Sequence, residues 1–272
     1  MIPQGDTGLS SDLSRMRVPG GNGNDIFISF HGITDCGASN ADLAVHLRSD
    51  YTVVLPDARG HGLSPRFSKE QLKAPFETMV EDACQLIVEE VEQSGKPVII
   101  HGHSMGGAVA VAATQRCPDY VRALVLEEPA LLSITQRGFL HMLVTRLAGR
   151  VSTNQQDIVA ALEELRQEQS KWSNLEIAGW SLGQMLVEQP FLKHPVFHEK
   201  MSRKKILARL HTPTLIVTGD TKPCIIGARG FEGIKKIGNP QLETVLISSA
   251  SHCVRRDNPQ DFYRALDAFL EK

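Results

Sequence analysis

The run Val98-Ile99-Ile100-His101-Gly102-His103-Ser104-Met105-Gly106-Gly107 decides the fold. An apolar, β-branched stretch breaks at a Gly-x-Ser-x-Gly. It resumes as a small-residue segment, Ala108 to Cys117, whose composition predicts a helix. Strand, sharp turn and helix are the context that makes this five-letter pattern a nucleophile elbow. So tight a turn forces Ser104 into a strained backbone conformation and lifts its hydroxyl above the sheet. Gly102 and Gly106 leave no side chains to collide there. The N–H of Met105, at the start of the helix, then points to where an oxyanion would form.

Working outward, strands and helices alternate. Asp25 to Phe30 predicts a short strand after the loop Gly20 to Asn24, and Asn40 to Leu47 a helix. Tyr51 to Leu55 predicts a second strand, ending at Pro56-Asp57. Between Glu77 and Gln93, apolar residues at Met79, Ala83, Ile87, Val88 and Val91 form a helical stripe. Strands follow at Val121–Leu126, Thr214–Thr218 and Thr244–Ile247. Pro259 opens a last helix with Phe262, Leu266, Phe269 and Leu270 on one face. This alternation is the mark of an α/β fold with a mostly parallel sheet and a site at the carboxyl ends of its strands.

One segment departs from the pattern. From about Ser133 to Leu210 no strand is legible, and large apolar residues accumulate: Phe139, Met142, Leu143, Trp172, Trp180, Met185, Phe191 and Phe197. A connection this long carries its own structure. We read residues 133–210 as a helical cap inserted in a core made of 1–132 and 211–272. The aromatics either pack cap against core or line an apolar pocket; Trp172 and Trp180 are the substrate-binding candidates.

Composition narrows the field. The chain of 272 residues carries a formal net charge of -2, which gives no reason to expect nucleic acid or an anionic membrane as partner. No apolar run reaches the ~18 residues needed to span a bilayer. Met1 to Arg17 is polar and lacks the apolar core of a signal peptide. The five cysteines, Cys36, Cys84, Cys117, Cys224 and Cys253, are scattered and show no metal-ligand spacing. This usage predicts free thiols in a cytoplasmic protein, monomeric or homodimeric. Neither a metal site nor a dinucleotide fingerprint is present, so no cofactor is expected.

Four motifs in order give the chain a resemblance to the α/β-hydrolase-fold enzymes with a helical cap. They are Phe30-His31-Gly32-Ile33, Asp57-Ala58-Arg59-Gly60-His61-Gly62-Leu63-Ser64, the elbow itself and Ala250-Ser251-His252. The resemblance covers about Asp25 to Ala130 and Thr212 to Leu270. It implies Ser104 as nucleophile, His252 as its base, and the N–H groups of Ile33 and Met105 as the oxyanion hole. Gly32 and His103, beside them, are candidate substrate contacts. His31, His61 and His103 read more simply as structural hydrogen bonders.

The third member of the triad is displaced. Similar enzymes commonly carry an Asp three residues after the glycine that ends the strand Thr214–Thr218. Here that glycine is Gly219, and Lys222 stands at the third position. A lysine cannot stabilise an imidazolium. Asp220 is nearby but two positions off. Some members of the fold keep the acid after the preceding core strand, which ends here in Leu126-Glu127-Glu128-Pro129. Glu128 lies 24 residues after Ser104, a spacing that resembles theirs. Glu127 and Glu128 should point to opposite sides of the strand, so Glu128 is the expected acid, with Asp220 and Glu127 as alternatives.

A serine nucleophile implies acyl transfer: attack on a carbonyl, an acyl-enzyme, then water. The resemblance therefore implies a cofactor-independent serine hydrolase of a small apolar ester or lactone. Cleavage of a carbon–carbon bond in a diketone is the near alternative. A small-molecule receptor with residual turnover is the alternative of another class.

Overall fold

The computed structural model describes residues 11–21, 25–194 and 201–272, without the side chains at 134, 135, 137–141 and 143. The expected loop residues Asn22 to Asn24, the side chains of Phe139 and Leu143, and Phe197 lie outside that description.

Seven strands form one sheet: β1 Arg15–Val18, β2 Ile26–Phe30, β3 Thr52–Pro56, β4 Val98–His103, β5 Val121–Glu127, β6 Thr214–Gly219 and β7 Leu242–Ile247. Their order across the sheet is β1-β3-β2-β4-β5-β6-β7. All neighbours are parallel except β1, which runs antiparallel to β3 at the edge. Among the described residues ten α-helices accompany them: α1 Ala41–Leu47, α2 Pro75–Ser94, α3 Met105–Arg116, α4 Ile134–Gln156, α5 Ile158–Glu168, α6 Asn174–Leu186, α7 Arg203–Leu207, α8 Gly227–Lys235, α9 Val254–Asp257 and α10 Pro259–Leu270.

Strand alternation builds two cores, one on each face of the sheet. Ile26, Ile28 and Ile100 pack under α2 and α3, whose Met79, Val80, Leu86, Ile87, Val109 and Ala113 face them. Phe27, Ile99, Val125 and Leu215 point the other way, against Leu43 and Leu47 of α1 and Phe262 and Leu266 of α10. A strand covered on both faces reads as a continuous apolar run, which is why β2 and β4 were legible. Helices α2 and α10 obey their terminal signals. Pro75 opens α2 and Gly95, at φ 72°, closes it. Pro259 opens α10, and the Asn258 side chain accepts from the Asp261 N–H at 3.3 Å.

The connection from β2 runs outward to β3, whereas that from β3 returns to β4 on the other side of β2. The loops leaving β2 and β4 therefore diverge at their carboxyl ends and open a crevice. Between β5 and β6 no strand intervenes among the described residues; α4 to α7 fill the insertion. Helix α6 seats it on the core, against the short 3-10 turn Gly37–Asn40 and α1. A Cβ at Gly179 would stand 2.5 Å from the Ala38 carbonyl oxygen, so glycine sets that close approach.

Three elements were not expected. β1 is short and charged, as edge strands often are, and gives no apolar signal. Helix α8 carries Gly227, Gly230 and Gly233, each costly in a helix, so its propensity is low. Helix α9 has only four residues, too few to show a period.

Candidate active site

The elbow forms as its sequence requires. β4 is buried throughout, Ser104 takes φ 51° and ψ −113°, and α3 begins at Met105. A non-glycine residue held there costs of order 1–3 kcal/mol and persists only where its surroundings fix it. They do: the Ser104 N–H donates to the Glu127 carbonyl at 3.0 Å, and the Ser104 carbonyl accepts from Ala130 at 2.8 Å. Gly106 is needed for contact with β2. A Cβ there would come within 2.4 Å of the Phe30 carbonyl oxygen. Its N–H donates instead to the His31 carbonyl at 3.1 Å.

His252 lies between β7 and α9, and its Nδ1 is 3.2 Å from Glu128 Oε2. Glu128 follows β5 and is fully buried, at φ 43°. Its Oε1 accepts from the Thr218 hydroxyl of β6 and from the Ile226 and Gly227 N–H groups at 3.1 and 3.4 Å. Oε2 also accepts from Ile225. These N–H groups open α8, whose dipole favours an anion at that end. Burial alone would raise the Glu128 carboxyl, but His252, Thr218 and the Ile225 N–H together hold it below the usual range. Among the described residues no hydrogen bond joins the Ser104 hydroxyl to the imidazole in this arrangement.

The alternative acids stand elsewhere. Asp220 is exposed, and its Oδ1 braces a turn by accepting from the Ser249 N–H at 2.8 Å. Glu127 is buried on the opposite side from Glu128. It accepts from the Arg255 N–H at 2.8 Å and faces His101 Nε2 at 3.4 Å.

The loops around the serine are bolted by the second motif. His31 Nε2 accepts from the Ala58 N–H at 2.9 Å, and its Nδ1–H donates to the Gly32 carbonyl at 2.8 Å. His61 Nε2 meets the Ile33 carbonyl at 2.8 Å. Burial lowers both rings, His61 to about 4, so they are neutral hydrogen bonders. Asp57 accepts from the Gly37 and Leu63 N–H groups at 2.8 and 2.9 Å. Arg59 grips Asp82 through two bonds of 2.8 and 2.7 Å. This frame fixes the turn that carries Ile33. Among the described residues neither the Ile33 N–H nor the Met105 N–H donates to a protein acceptor.

The cap tryptophans are packing residues in their surroundings. Trp172 is 8% exposed; its Nε1–H donates to Asp257 at 2.9 Å, and the Arg256 guanidinium lies 4.9 Å from its ring. Trp180 is buried beside it with Ala161, Leu165 and Ile177. Both indoles are thus buried in one cluster, in the packing role that the sequence left open beside substrate contact. Phe191 is likewise buried, stacked on Phe67 with centroids 5.0 Å apart. Met142 and Met185 are exposed. Gly32 and His103, the other expected substrate contacts, face each other: a Cβ on Gly32 would stand 2.9 Å from His103 Nδ1.

A charged cluster behind the site was not foreseen. Glu176 of α6 meets Arg255 Nη1 and lies 2.8 Å from Arg256 Nε. Arg256 Nη2 is 3.1 Å from Asp35, and all four side chains are buried. The one signal in the sequence is Arg255-Arg256 just after His252; nothing local marks their partners in Glu176 and Asp35.

A family model described as serine aminopeptidase, S33, matches residues 22–259. The chain is 38% identical over 104 residues to lipase LipV of Mycobacterium tuberculosis, covering 38% of this chain and 37% of that one. It is 26% identical over 239 residues to the sn-1-specific diacylglycerol lipase ABHD11 of Mus musculus, covering 82% and 73%. The crystal structure of E-2-(acetamidomethylene)succinate hydrolase superposes with a TM-score of 0.76 at 21% identity, over 96% of this chain and 95% of that one. The expected fold is the fold observed. No helix among the described residues is long and apolar enough to cross a membrane.

Proposed function

Because this chain belongs to the serine aminopeptidase S33 family and is a hydrolase of the α/β-hydrolase fold, we propose that it cleaves a small apolar ester or lactone through Ser104, His252 and Glu128. The observation that carries this reading is the buried Glu128 carboxylate at 3.2 Å from His252 Nδ1. With Nδ1–H held by the acid, Nε2 is the free base that takes the Ser104 proton. Ser104 attacks the carbonyl carbon, and the developing oxyanion falls to the Ile33 and Met105 N–H groups. His252 returns the proton to the leaving alcohol, and water then releases the acyl group by the same steps reversed. The serine–histidine contact closes as substrate seats, since catalytic hydrogen bonds in unliganded enzymes are often long.

The two relatives named as lipases favour an ester over the peptide bond of the family's name. Ile33, whose N–H is one of the two donors, carries an apolar and only partly buried side chain, which favours an uncharged acyl group. The insertion 133–210 is the cap over this crevice.

The test is covalent labelling with a fluorophosphonate, mapped by mass spectrometry, beside turnover of p-nitrophenyl esters and aliphatic lactones. Label on Ser104 alone, and a loss of about 10⁴-fold in kcat in Ser104→Ala, are expected. Parental hydrolysis by Ser104→Ala would rule out the acyl-enzyme.

A further inference from the structure

His103 precedes the nucleophile and is 6% exposed, yet both of its ring nitrogens face acceptors. Nε2 is 3.1 Å from the backbone carbonyl oxygen of His252, and Nδ1 is 3.7 Å from Asp35 Oδ2. The two imidazoles lie with centroids 4.9 Å apart. Gly32 makes this possible, because a Cβ there would occupy the space beside His103 Nδ1.

We propose that His103 is a fixed imidazolium that positions His252 by donating to its carbonyl. The inference rests on the triad reading for its effect on rate, while the protonation states it names can be read without turnover. A neutral histidine could donate from only one nitrogen, leaving the other facing an acceptor without a proton. Charge balance supplies the second argument. Asp35, Glu127 and Glu176 face Arg255 and Arg256 in one buried cluster. Three carboxylates against two guanidiniums leave one negative charge, and a cationic His103 cancels it. Burial opposes that charge, but Glu127 and the bond to Asp35 outweigh it and hold the ring's proton well above the usual histidine range.

The groups around His103 come from every packed element. His31 and Asp35 lie on the loop after β2, His101 on β4 and Glu127 on β5. His252, Cys253 and Arg256 lie on the last loop and α9. His31 and His101 are held neutral by burial, so the carboxylates decide the sign.

Through Arg256 the same cluster reaches the insertion. Asp35 bonds Arg256, and Arg256 bonds Glu176 of α6. The helix that seats the insertion therefore also braces the loop that carries His252. His103 touches no reacting atom in this account; it is a positioning residue.

The experiment is ring-nitrogen NMR on protein labelled at histidine, with pH–rate profiles of the parent, His103→Gln and His103→Phe. In the parent at pH 8, both His103 nitrogens should carry protons. Gln keeps a donor for the His252 carbonyl without the charge. The plateau kcat of His103→Gln should stay within about threefold of the parent, with KM unchanged. His103→Phe should also lose plateau kcat, about tenfold. A neutral His103 ring at pH 8, or a His103→Gln enzyme as impaired in kcat as His103→Phe, overturns the proposal, and the parent spectrum decides even if the variants misfold. If Ser104→Ala keeps activity while both His103 nitrogens carry protons, it is the triad reading that fails.

Discussion

Glu128 and His252 are 124 positions apart in the chain, yet a carboxylate oxygen of one stands 3.2 Å from Nδ1 of the other. The loops that follow β5 and β7, on either side of β6 in the sheet, bring them together. Glu128 leaves β5 in a left-handed turn, and β6 beside it lends the Thr218 hydroxyl.

The Thr218 bond makes the first prediction. Its hydroxyl donates to Glu128 Oε1 and accepts from the Gly227 N–H at 2.9 Å. Thr218→Val keeps the shape and removes both. A hydrogen bond to a charged group is worth about 1.5–3 kcal/mol. Steady-state kinetics should show kcat lower by roughly tenfold or more with KM nearly unchanged. A rise in KM at constant kcat would mean that Thr218 shapes the substrate site instead.

Trp172 should prove a stability residue. Removing a large buried aromatic typically costs about 3–5 kcal/mol. Trp172→Ala should lower the urea midpoint sharply and leave KM for esters within about twofold. Unchanged stability with an altered substrate preference would return Trp172 to the pocket.

Stability should fall as pH is lowered from 7 to 5. Burial lowers His31, His61 and His101, so the unfolded chain takes up protons near pH 6.5 that the folded one refuses until lower pH, about 4 for His61. Their stabilisation is present above the unfolded value and is lost as pH falls. His103 is raised and runs the other way, its contribution being lost as pH rises. Each lowered histidine adds a slope of about 1.4 kcal/mol per pH unit in this window. The depressed carboxyls of Asp35, Glu127 and Glu128 act only below about pH 4.5. Urea unfolding at pH 7 and 5 checks this: lower stability at pH 5 is expected, with a shallower fall in His61→Gln. A flat or rising trend would contradict it.

The sheet was legible because each parallel strand is covered on both faces and so reads as an apolar run. The elbow was legible because its glycines answer to backbone atoms that any such turn brings close. Glu128 was legible from Lys222 standing where an acid would be expected, and from its distance to Ser104. What stayed hidden depends on tertiary contact. Glu176 reads as one more charge on a helix, yet it is buried against two arginines 79 and 80 positions away. The strand alternation expected to separate Glu127 from Glu128 is only part of the reason they diverge; the left-handed turn at Glu128, beyond the end of β5, does the rest.

The displaced acid is tested most directly by kcat for Glu128→Gln and Asp220→Asn on one ester at one pH. Glu128→Gln removes the charge at the imidazole and keeps the shape, so it isolates the stabilisation of the cation formed as Ser104 attacks. A loss of about 10²–10⁴-fold is predicted for it, or roughly 3–5 kcal/mol of transition-state stabilisation. Asp220→Asn, at an exposed turn, should stay within about threefold of the parent. An Asp220→Asn enzyme more impaired than Glu128→Gln would contradict the account.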